Sequence, residues 1–219
     1  MQDLCPHQQL ALFTPRAIPR ERDVVHEYDL IAEWYSGDRS RTIGVSEALA
    51  LASSLPPQSR ILDLGCGNGV PITDALLNGG YRVVGLDTSS GMLARFRINL
   101  PDAPAVRADC RACPFADGAF DAAVSWGMLF HLSQTDQAVA FANVYRLLKP
   151  GAPFLFTAAE IADADEHGIT GTMNGVTFPY YAVPDYASVV GAYGFELLTV
   201  HDDPGVSTYY LVRKNSFRE

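Results

Sequence analysis

The residues best suited to bind a ligand form a glycine-rich stretch directly after a short apolar run. Residues 61–64 read Ile-Leu-Asp-Leu, and Gly65, Gly67 and Gly69 follow. Where a strand turns sharply into a helix and its backbone also approaches a ligand, only glycine leaves enough room. The stretch therefore indicates a nucleotide-like ligand, and a generic tight turn is the alternative that it leaves open by itself.

The spacing of the glycines bears on which nucleotide would fit. A dinucleotide-binding GxGxxG fingerprint needs glycine at residue 70, where this chain has Val70. A carboxylate, Asp87, ends the next apolar run about 20 residues further on, where it can accept hydrogen bonds from both ribose hydroxyls. The alternative for Asp87 is to cap a helix that begins near Ser89. The pattern favours a nucleoside ligand and disfavours NAD.

These side chains need a scaffold, and the hydropathy pattern from Arg60 onward predicts alternating strands and helices. The predicted strands lie near 60–64, 82–86, 104–107, 120–125 and 153–158. The predicted helices between them lie near 70–79, 91–99 and 134–148. Such alternation predicts βαβ units and a mostly parallel sheet with helices on both faces.

The end of the chain departs from this alternation. A helix near 184–193 precedes a strand at 195–200, a turn through 202–205 and a strand at 207–213. Two strands joined by so short a link must be antiparallel, because a parallel crossover needs a dozen or more residues. The last strand is therefore predicted to reverse the direction of the sheet.

Two further segments are expected to lie over the site. Residues 1–23 show no periodicity and predict an N-terminal arm, so the domain is expected to span 24–219. Within it, apolar spacings of three and four predict a helix ending near Gly37, and a second helix covers about 44–54. Residues 160–183 show no helical pattern and are predicted to be a long loop at the acceptor site.

Composition narrows the partners. A chain of 219 residues with 48% apolar residues can form one domain with a full core. A net charge of −9 provides no broad basic surface, which argues against a nucleic-acid partner. The absence of a signal-like or long apolar segment predicts a cytoplasmic protein without a membrane partner. Cys110 and Cys113 form a CxxC without a second ligand pair, so no metal is expected.

The ordered motifs resemble the class I, Rossmann-like family of S-adenosylmethionine (SAM) dependent methyltransferases, especially the ubiquinone and menaquinone methyltransferase motif set. The resemblance covers about residues 28–214, including a YDxxAxxY helix at 28–35, Phe120 to Leu132 and Arg146 to Ala152. It implies a seven-stranded, mostly parallel sheet whose last strand is antiparallel. It also implies SAM as cofactor and S-adenosylhomocysteine (SAH) as product.

The resemblance further implies a role for each matching position. Asp63 would hold the amino-acid end of SAM, Asp87 the ribose, and Asp109 the adenine amino group. The tyrosines of the YDxxAxxY helix would close the site. The cofactor-binding residues implied in full are Tyr28, Tyr35, Asp63, Gly65, Cys66, Gly67, Asp87, Thr88, Met92, Asp109, Cys110, Ser125, Trp126 and Phe130.

The acceptor is less well defined, and a small molecule fits the composition best. His131 is the leading general base, because its pKa suits proton transfer near neutrality, and a purely packing histidine is the alternative. Trp126 departs from the smaller or polar residue common at that position in the family, so it would narrow the acceptor pocket. The acceptor pocket is predicted to use Glu160, His167, Tyr180, Tyr181 and Tyr209.

Several other functions stay open. A partner subunit that binds SAM without catalysis would keep the same aspartates. An NAD-type oxidoreductase is disfavoured by Val70 and by the reversed last strand. A protein methyltransferase is disfavoured by compact size, and the chain is expected to be a monomer or a homodimer.

Overall fold

The computed structural model describes residues 25–38, 40–158, 168–201 and 208–216. Its helices are α1 Val25–Asp38, α2 Val45–Ser53, α3 Ile72–Asn78, α4 Ser90–Asn99, α5 Gln134–Leu147 and α6 Tyr186–Ala192. Its strands are β1 Arg60–Leu64, β2 Arg82–Asp87, β3 Ala105–Arg107, β4 Ala122–Ser125, β5 Pro153–Ala158, β6 Ile169–Met173, β7 Val176–Tyr180, β8 Phe195–His201 and β9 Thr208–Lys214. The predicted arm at 1–23 lies outside the described residues.

Seven strands form one sheet in the order β3-β2-β1-β4-β5-β9-β8. The pairs among β1 to β5 are parallel, and β9 is antiparallel to both of its neighbours. This confirms the predicted mostly parallel sheet with a reversed last strand. The predicted strand and helix positions agree with the structure to within a few residues.

The central strands are apolar because both faces of the sheet are covered. One face packs against α5 and α6 through Phe141, Phe154 and Phe156, which are fully buried. The other face packs against α2 and α3 through a second apolar cluster that includes Ile61 and Leu76. None of the helices in the described ranges is long and apolar enough to cross a membrane.

The segment predicted as a long loop instead contains a hairpin. Strands β6 and β7 pair in antiparallel register, from Ile169 opposite Tyr180 to Met173 opposite Val176. The two-residue turn between them is Asn174-Gly175, and both residues have positive φ, 45° and 76°. This turn matches the twist of the two strands, and Asn-Gly is a strong sequence signal for a hairpin. The prediction of a loop used only the absence of a helical pattern. The prediction of an unstructured connection was therefore wrong for residues 169–180.

The order of the strands places a ligand site at one edge of the sheet. Strand β1 pairs with β2 on one side and with β4 on the other, so the chain's crossovers diverge between β1 and β4. In open parallel sheets, ligands bind outside the carboxyl ends of the strands at such a switch point. The glycine stretch follows β1 at this edge, and Asp87 ends β2 beside it.

The last residue of the reversed strand β9 forms hydrogen bonds with the C-terminal end of α5. Lys214 Nζ donates hydrogen bonds of 2.7 Å to the carbonyl oxygens of Tyr145 and Leu148, where α5 ends. The ammonium also lies 4.4 Å from the centre of the Tyr145 ring. The last carbonyls of a helix lack partners within the helix and favour a cation. Lys214 therefore stabilises both the helix end and the position of β9.

We expect Lys214→Met to lower the free energy of unfolding by about 1.5–3 kcal/mol, because two carbonyl groups lose a charged donor. Urea denaturation measures the change. Arg213→Met is the matched control: Arg213 is on the same strand, and its pair with Glu196 is half exposed on both sides. That variant should lose less than about 1 kcal/mol. Equal losses in the two variants would contradict the assignment.

Candidate functional site

A cleft of about 820 Å³, open to solvent, lies at the carboxyl edge of the sheet under helix α1. Its walls come from the segments that follow β1, β2, β3 and β4. The structure brings together there most of the residues that the sequence predicted to bind the cofactor. These are Tyr28, Tyr35, Gly65, Gly67, Asp87, Thr88, Met92, Asp109, Cys110 and Trp126, with His131 beside them.

Asp87 joins the two loops at the centre of the cleft. Its Oδ2 accepts a hydrogen bond of 2.8 Å from the backbone N–H of Gly67, and its Oδ1 accepts one of 2.8 Å from that of Ser89. Burial raises the pKa of Asp87, and these two backbone donors act in the opposite direction by stabilising the charged form. A carboxylate has about four acceptor positions, so capacity for further donors is left.

Gly65 forms the turn from β1 into the cleft. Its φ is +78°, and a Cβ there would lie 2.6 Å from Cβ of Met128. The backbone N–H groups of Gly65 and Cys66 both donate to the carbonyl of Leu86, at 2.8 and 3.1 Å. Only glycine combines this backbone conformation with such a close approach. The turn therefore keeps the loop after β1 against the end of β2.

Asp63 lies in a smaller pocket of about 310 Å³ that shares Tyr35, Gly65, Gly67 and Trp126 with the main cleft. It is buried, and it accepts a hydrogen bond of 2.5 Å from Oγ1 of Thr73 at the start of α3. Cys66 also lines this pocket, and burial raises the pKa of its thiol. The structure thus places Asp63 next to the glycine turn, with its carboxylate held in one orientation.

Asp109 has a partner that the sequence analysis missed. The guanidinium of Arg111 donates to both carboxylate oxygens of Asp109 and also reaches Oδ2 of Asp136 at 3.1 Å. The hydrogen bonds from Arg111 hold the pKa of Asp109 below its usual range. Arg111 itself lines the cleft. The sequence contained one indication of this partner: Arg111 lies two residues after Asp109, the predicted adenine contact.

Helix α1 forms the roof of the cleft. The rings of Tyr28 and Tyr35 lie 5.8 Å apart, edge to face, and both line the cavity. Beside them, Trp126 packs on the backbone of Gly44, where φ is +73° and a Cβ would lie 2.5 Å from the indole ring. The glycine at the start of α2 therefore makes room for the tryptophan that the sequence predicted in the site.

His131 is held on both ring nitrogens. Its Nδ1 lies 2.8 Å from the carbonyl oxygen of Pro179, which can only accept, so Nδ1 carries the hydrogen. Its Nε2 is then the acceptor for the hydroxyl of Tyr28 at 2.9 Å. Burial lowers the pKa of His131 to about 4. The ring is thus neutral at pH 7 and links the roof helix to the β6–β7 hairpin, so this geometry favours a positioning role over the predicted general base.

The β6–β7 hairpin packs against Phe130 and His131 from outside the cleft. Phe130 stacks on Tyr180 with ring centres 5.5 Å apart, and the backbone N–H of Tyr181 donates to the carbonyl of Phe130 at 2.7 Å. Burial raises the pKa of Tyr180 to about 12, so its hydroxyl stays protonated. Phe130 and both tyrosines therefore lie together beside His131, although none of the three lines the cleft itself.

Other predicted positions lie away from the cleft. The hydroxyl of Ser125 is buried and has no hydrogen-bond partner within the described part of the chain. Tyr209 stacks on His201 with ring centres 4.7 Å apart, and its ring centre lies 5.8 Å from that of Trp126, which lines the cleft. Glu160 and His167 lie outside the described residues.

The cysteines of the CxxC stretch are buried, and burial raises the pKa of each thiol, that of Cys113 to about 11. Such thiols are poor nucleophiles, because the thiolate is the reactive form. No group of three or more His, Cys, Asp or Glu side chains in the described ranges is arranged to hold a metal ion.

The sequence is similar to those of known methyltransferases. Residues 61–151 match the family model of the methyltransferase domain. The demethylmenaquinone methyltransferase of Beutenbergia cavernae is 33% identical over 150 residues, which are 68% of this chain and 57% of that protein. The chain spans about half to three fifths of the length of such curated relatives.

Two solved structures share the fold. The CcbJ methyltransferase of Streptomyces caelestis matches with a TM-score of 0.75 and 18% identity, over 89% of this chain and all of that one. The 1,6-didemethyltoxoflavin-N1-methyltransferase of Burkholderia thailandensis, solved with 1,6-didemethyltoxoflavin and SAH, matches with a TM-score of 0.69 and 19% identity. The match covers 93% of this chain and 95% of the B. thailandensis chain.

The buried neutral state of His131 predicts a pH dependence of stability. The pKa falls from 6.5 in the unfolded chain to about 4 in the folded one, so only the unfolded chain gains a proton between these values. The free energy of unfolding should therefore decrease as the pH falls through this window, by up to about 1.4 kcal/mol per pH unit. We expect His131→Asn to remove this part of the slope, measured by urea denaturation at several pH values.

His201→Asn is the control for this measurement, because His201 lies on the exposed end of β8. It should keep the slope of the wild-type protein. An unchanged slope in His131→Asn would show that His131 is not buried in the neutral form.

Proposed function

We propose that this chain is a SAM-dependent methyltransferase, in keeping with its match to the methyltransferase domain, and that it transfers the methyl group of SAM to a small-molecule acceptor by in-line displacement. The single observation that carries the proposal is the Asp87 carboxylate, held by the loops after β1 and β2 at the switch point of the sheet. That is where a parallel sheet binds a nucleoside.

The residues present fit SAM as the cofactor. Asp87 keeps acceptor capacity for ribose hydroxyls beyond its two backbone donors. Gly65 and Gly67 line the cleft with backbone and no side chain, so a ligand can approach the backbone there. We assign the ribose to Asp87, the amino-acid end to the pocket of Asp63, and the adenine to the wall formed by Asp109 and Cys110.

When bound, SAM would supply a methyl group on a positively charged sulfur, and the neutral thioether SAH would be a good leaving group. The task left to the protein is to align the acceptor with that methyl group and to exclude water. Tyr28, Tyr35 and Trp126 provide an aromatic roof over the cleft for this purpose. An aromatic surface also favours a nearby positive charge.

We propose that His131 acts in this reaction by holding the roof and the hairpin together. Its two nitrogens bind Tyr28 and Pro179, and its pKa of about 4 disfavours protonation at neutral pH. The general-base role stays a competing prediction. A rate that follows only the ionisation of the acceptor would favour the positioning role.

A small-molecule acceptor is supported by the aromatic side chains of Tyr28, Tyr35 and Trp126 that cover the cleft. Phe130, Tyr180 and Tyr181 would form its outer wall, and Glu160, His167 and Tyr209 remain weaker candidates for contact with the acceptor. The names of the B. cavernae and B. thailandensis relatives refer to small molecules. The net charge of −9 makes a nucleic-acid acceptor unfavourable. The cytoplasmic location and the monomeric or dimeric state stay predictions.

A SAM-binding subunit without catalysis is the main alternative. Both functions need Asp63, Asp87 and Asp109, so cofactor binding does not separate them. Formation of SAH from SAM across a panel of phenolic, amine and thiol acceptors would separate them, because only an enzyme produces SAH at a rate above the acceptor-free control. An NAD-dependent oxidoreductase is disfavoured by Val70, where its fingerprint needs glycine.

Calorimetry with SAH tests the cofactor directly. We expect SAH to bind in the micromolar range and NAD not to bind. Asp87→Ala should weaken SAH binding by about a hundredfold, because hydrogen bonds to a charged group are lost.

Asp102→Asn is the control for this titration, because Asp102 is exposed on the loop before β3 and does not line the cleft. It should bind SAH as the wild type does. Absence of SAH binding to the wild-type protein, or tighter binding of NAD, would contradict the proposed function.

A further inference from the structure

The carboxylate of Asp29 attaches helix α1 to the start of α4. Oδ1 of Asp29 accepts hydrogen bonds from the backbone N–H of Gly91 at 2.7 Å and from the hydroxyl of Ser89 at 2.5 Å. Its Oδ2 lies 3.3 Å from the hydroxyl of Ser90. The first turn of a helix has N–H groups without partners and a partial positive charge, so an anion is favoured there.

Ser89 connects Asp29 to the carboxylate assigned to the ribose. The backbone N–H of Ser89 donates to Oδ1 of Asp87, while its side chain donates to Asp29 and accepts from the N–H of Met92. Asp87 in turn holds Gly67 in the loop after β1. A continuous chain of hydrogen bonds thus runs from the roof helix through Ser89 to both loops of the cleft.

The packing around Asp29 leaves little room for a side chain at the facing residue, Gly91. A Cβ at Gly91 would lie 3.1 Å from Oδ1 of Asp29 and 3.2 Å from Cβ of Ala32. Helices α1 and α4 therefore approach closely at this point. Because Tyr28 adjoins Asp29 and Tyr35 is on the same helix, this contact also fixes the two tyrosines that line the cleft.

The charge of Asp29 is consistent with this attachment. Burial acts to raise its pKa, but the hydrogen bonds from Ser89, Gly91 and Ser90 outweigh that effect and leave the pKa below its ordinary value. Helices α1 and α4 also share an ion pair, Glu33 with Arg95. Unlike the contact of Asp29, this pair is exposed, because the Glu33 side chain is 89% exposed. An exposed pair of this kind contributes little.

We propose that Asp29 is a positioning residue for the methyl donor: through Ser89 it sets both the roof helix and the orientation of Asp87, without itself lining the cleft. The proposal rests on the proposed function, since it assigns the ribose to Asp87. A simple tether between two helices would stabilise the fold equally well but would leave the affinity for the cofactor unchanged.

The test measures SAH binding by calorimetry in the wild-type chain, Asp29→Ala, Asp29→Asn and the matched control Glu33→Gln. Glu33 is on the same helix and also faces α4. We expect SAH binding about tenfold weaker in Asp29→Ala, a smaller loss in the near-isosteric Asp29→Asn, and no change in Glu33→Gln. Thermal unfolding identifies any variant that fails to fold, and Asp29→Asn keeps the test decisive if Asp29→Ala is lost.

Ser89→Ala, alone and combined with Asp29→Ala, tests whether the effect passes through Ser89. If it does, the double variant binds SAH about as weakly as Asp29→Ala alone, whereas independent effects would multiply. Unchanged SAH affinity in folded Asp29 variants, an equal loss in Glu33→Gln, or multiplying effects would overturn the proposal while leaving the proposed function intact. Failure of the wild-type chain to bind SAH would instead overturn the proposed function, and this inference with it.

Discussion

The carboxylate of Asp87 accepts backbone hydrogen bonds from Gly67 and Ser89, and the arrangement of the site depends on this interaction. The two donors belong to the loops after β1 and β2, the neighbouring parallel strands that end at the same edge. A buried carboxylate needs donors to remain charged, and backbone N–H groups supply them without a counter-ion that would compete with a ligand. The same requirement explains the positive φ at Gly65, because the first loop must bend sharply to reach Asp87.

Two layers of side chains surround Asp87, an inner one of carboxylates and an outer one of aromatic rings. The inner layer consists of three carboxylates held by hydrogen bonds: Asp63 by the Thr73 hydroxyl, Asp87 by two backbone N–H groups, and Asp109 by the Arg111 guanidinium. The outer layer is aromatic and comes from α1 and the β6–β7 hairpin, which are distant in sequence. His131 connects the two outer pieces as a neutral donor and acceptor, and a protonated ring could not accept from Tyr28. Under the proposed function, the inner layer would bind the cofactor and the outer layer would cover it.

Much of this could be predicted from the sequence, because it depends on local pattern. Buried parallel strands give continuous apolar runs, and the glycine stretch marks the turn after β1. The short link before the last strand determines its reversed direction. The hairpin at 169–180 was missed, although Asn174-Gly175 is a hairpin signal, because its strands are only five residues long and contain Gly171 and Pro179. The roles of Asp29, Arg111 and His131 could not be predicted, since each depends on burial or on partners that are up to 103 residues away in the sequence.

The most direct test of the account is a crystal structure of the protein with SAH. The account predicts that both ribose hydroxyls donate to Asp87 while Gly67 and Ser89 keep their hydrogen bonds to it, and that the sulfur faces the roof formed by Tyr28, Tyr35 and Trp126. Density for SAH elsewhere on the molecule, or a ribose that makes no contact with Asp87, would contradict it.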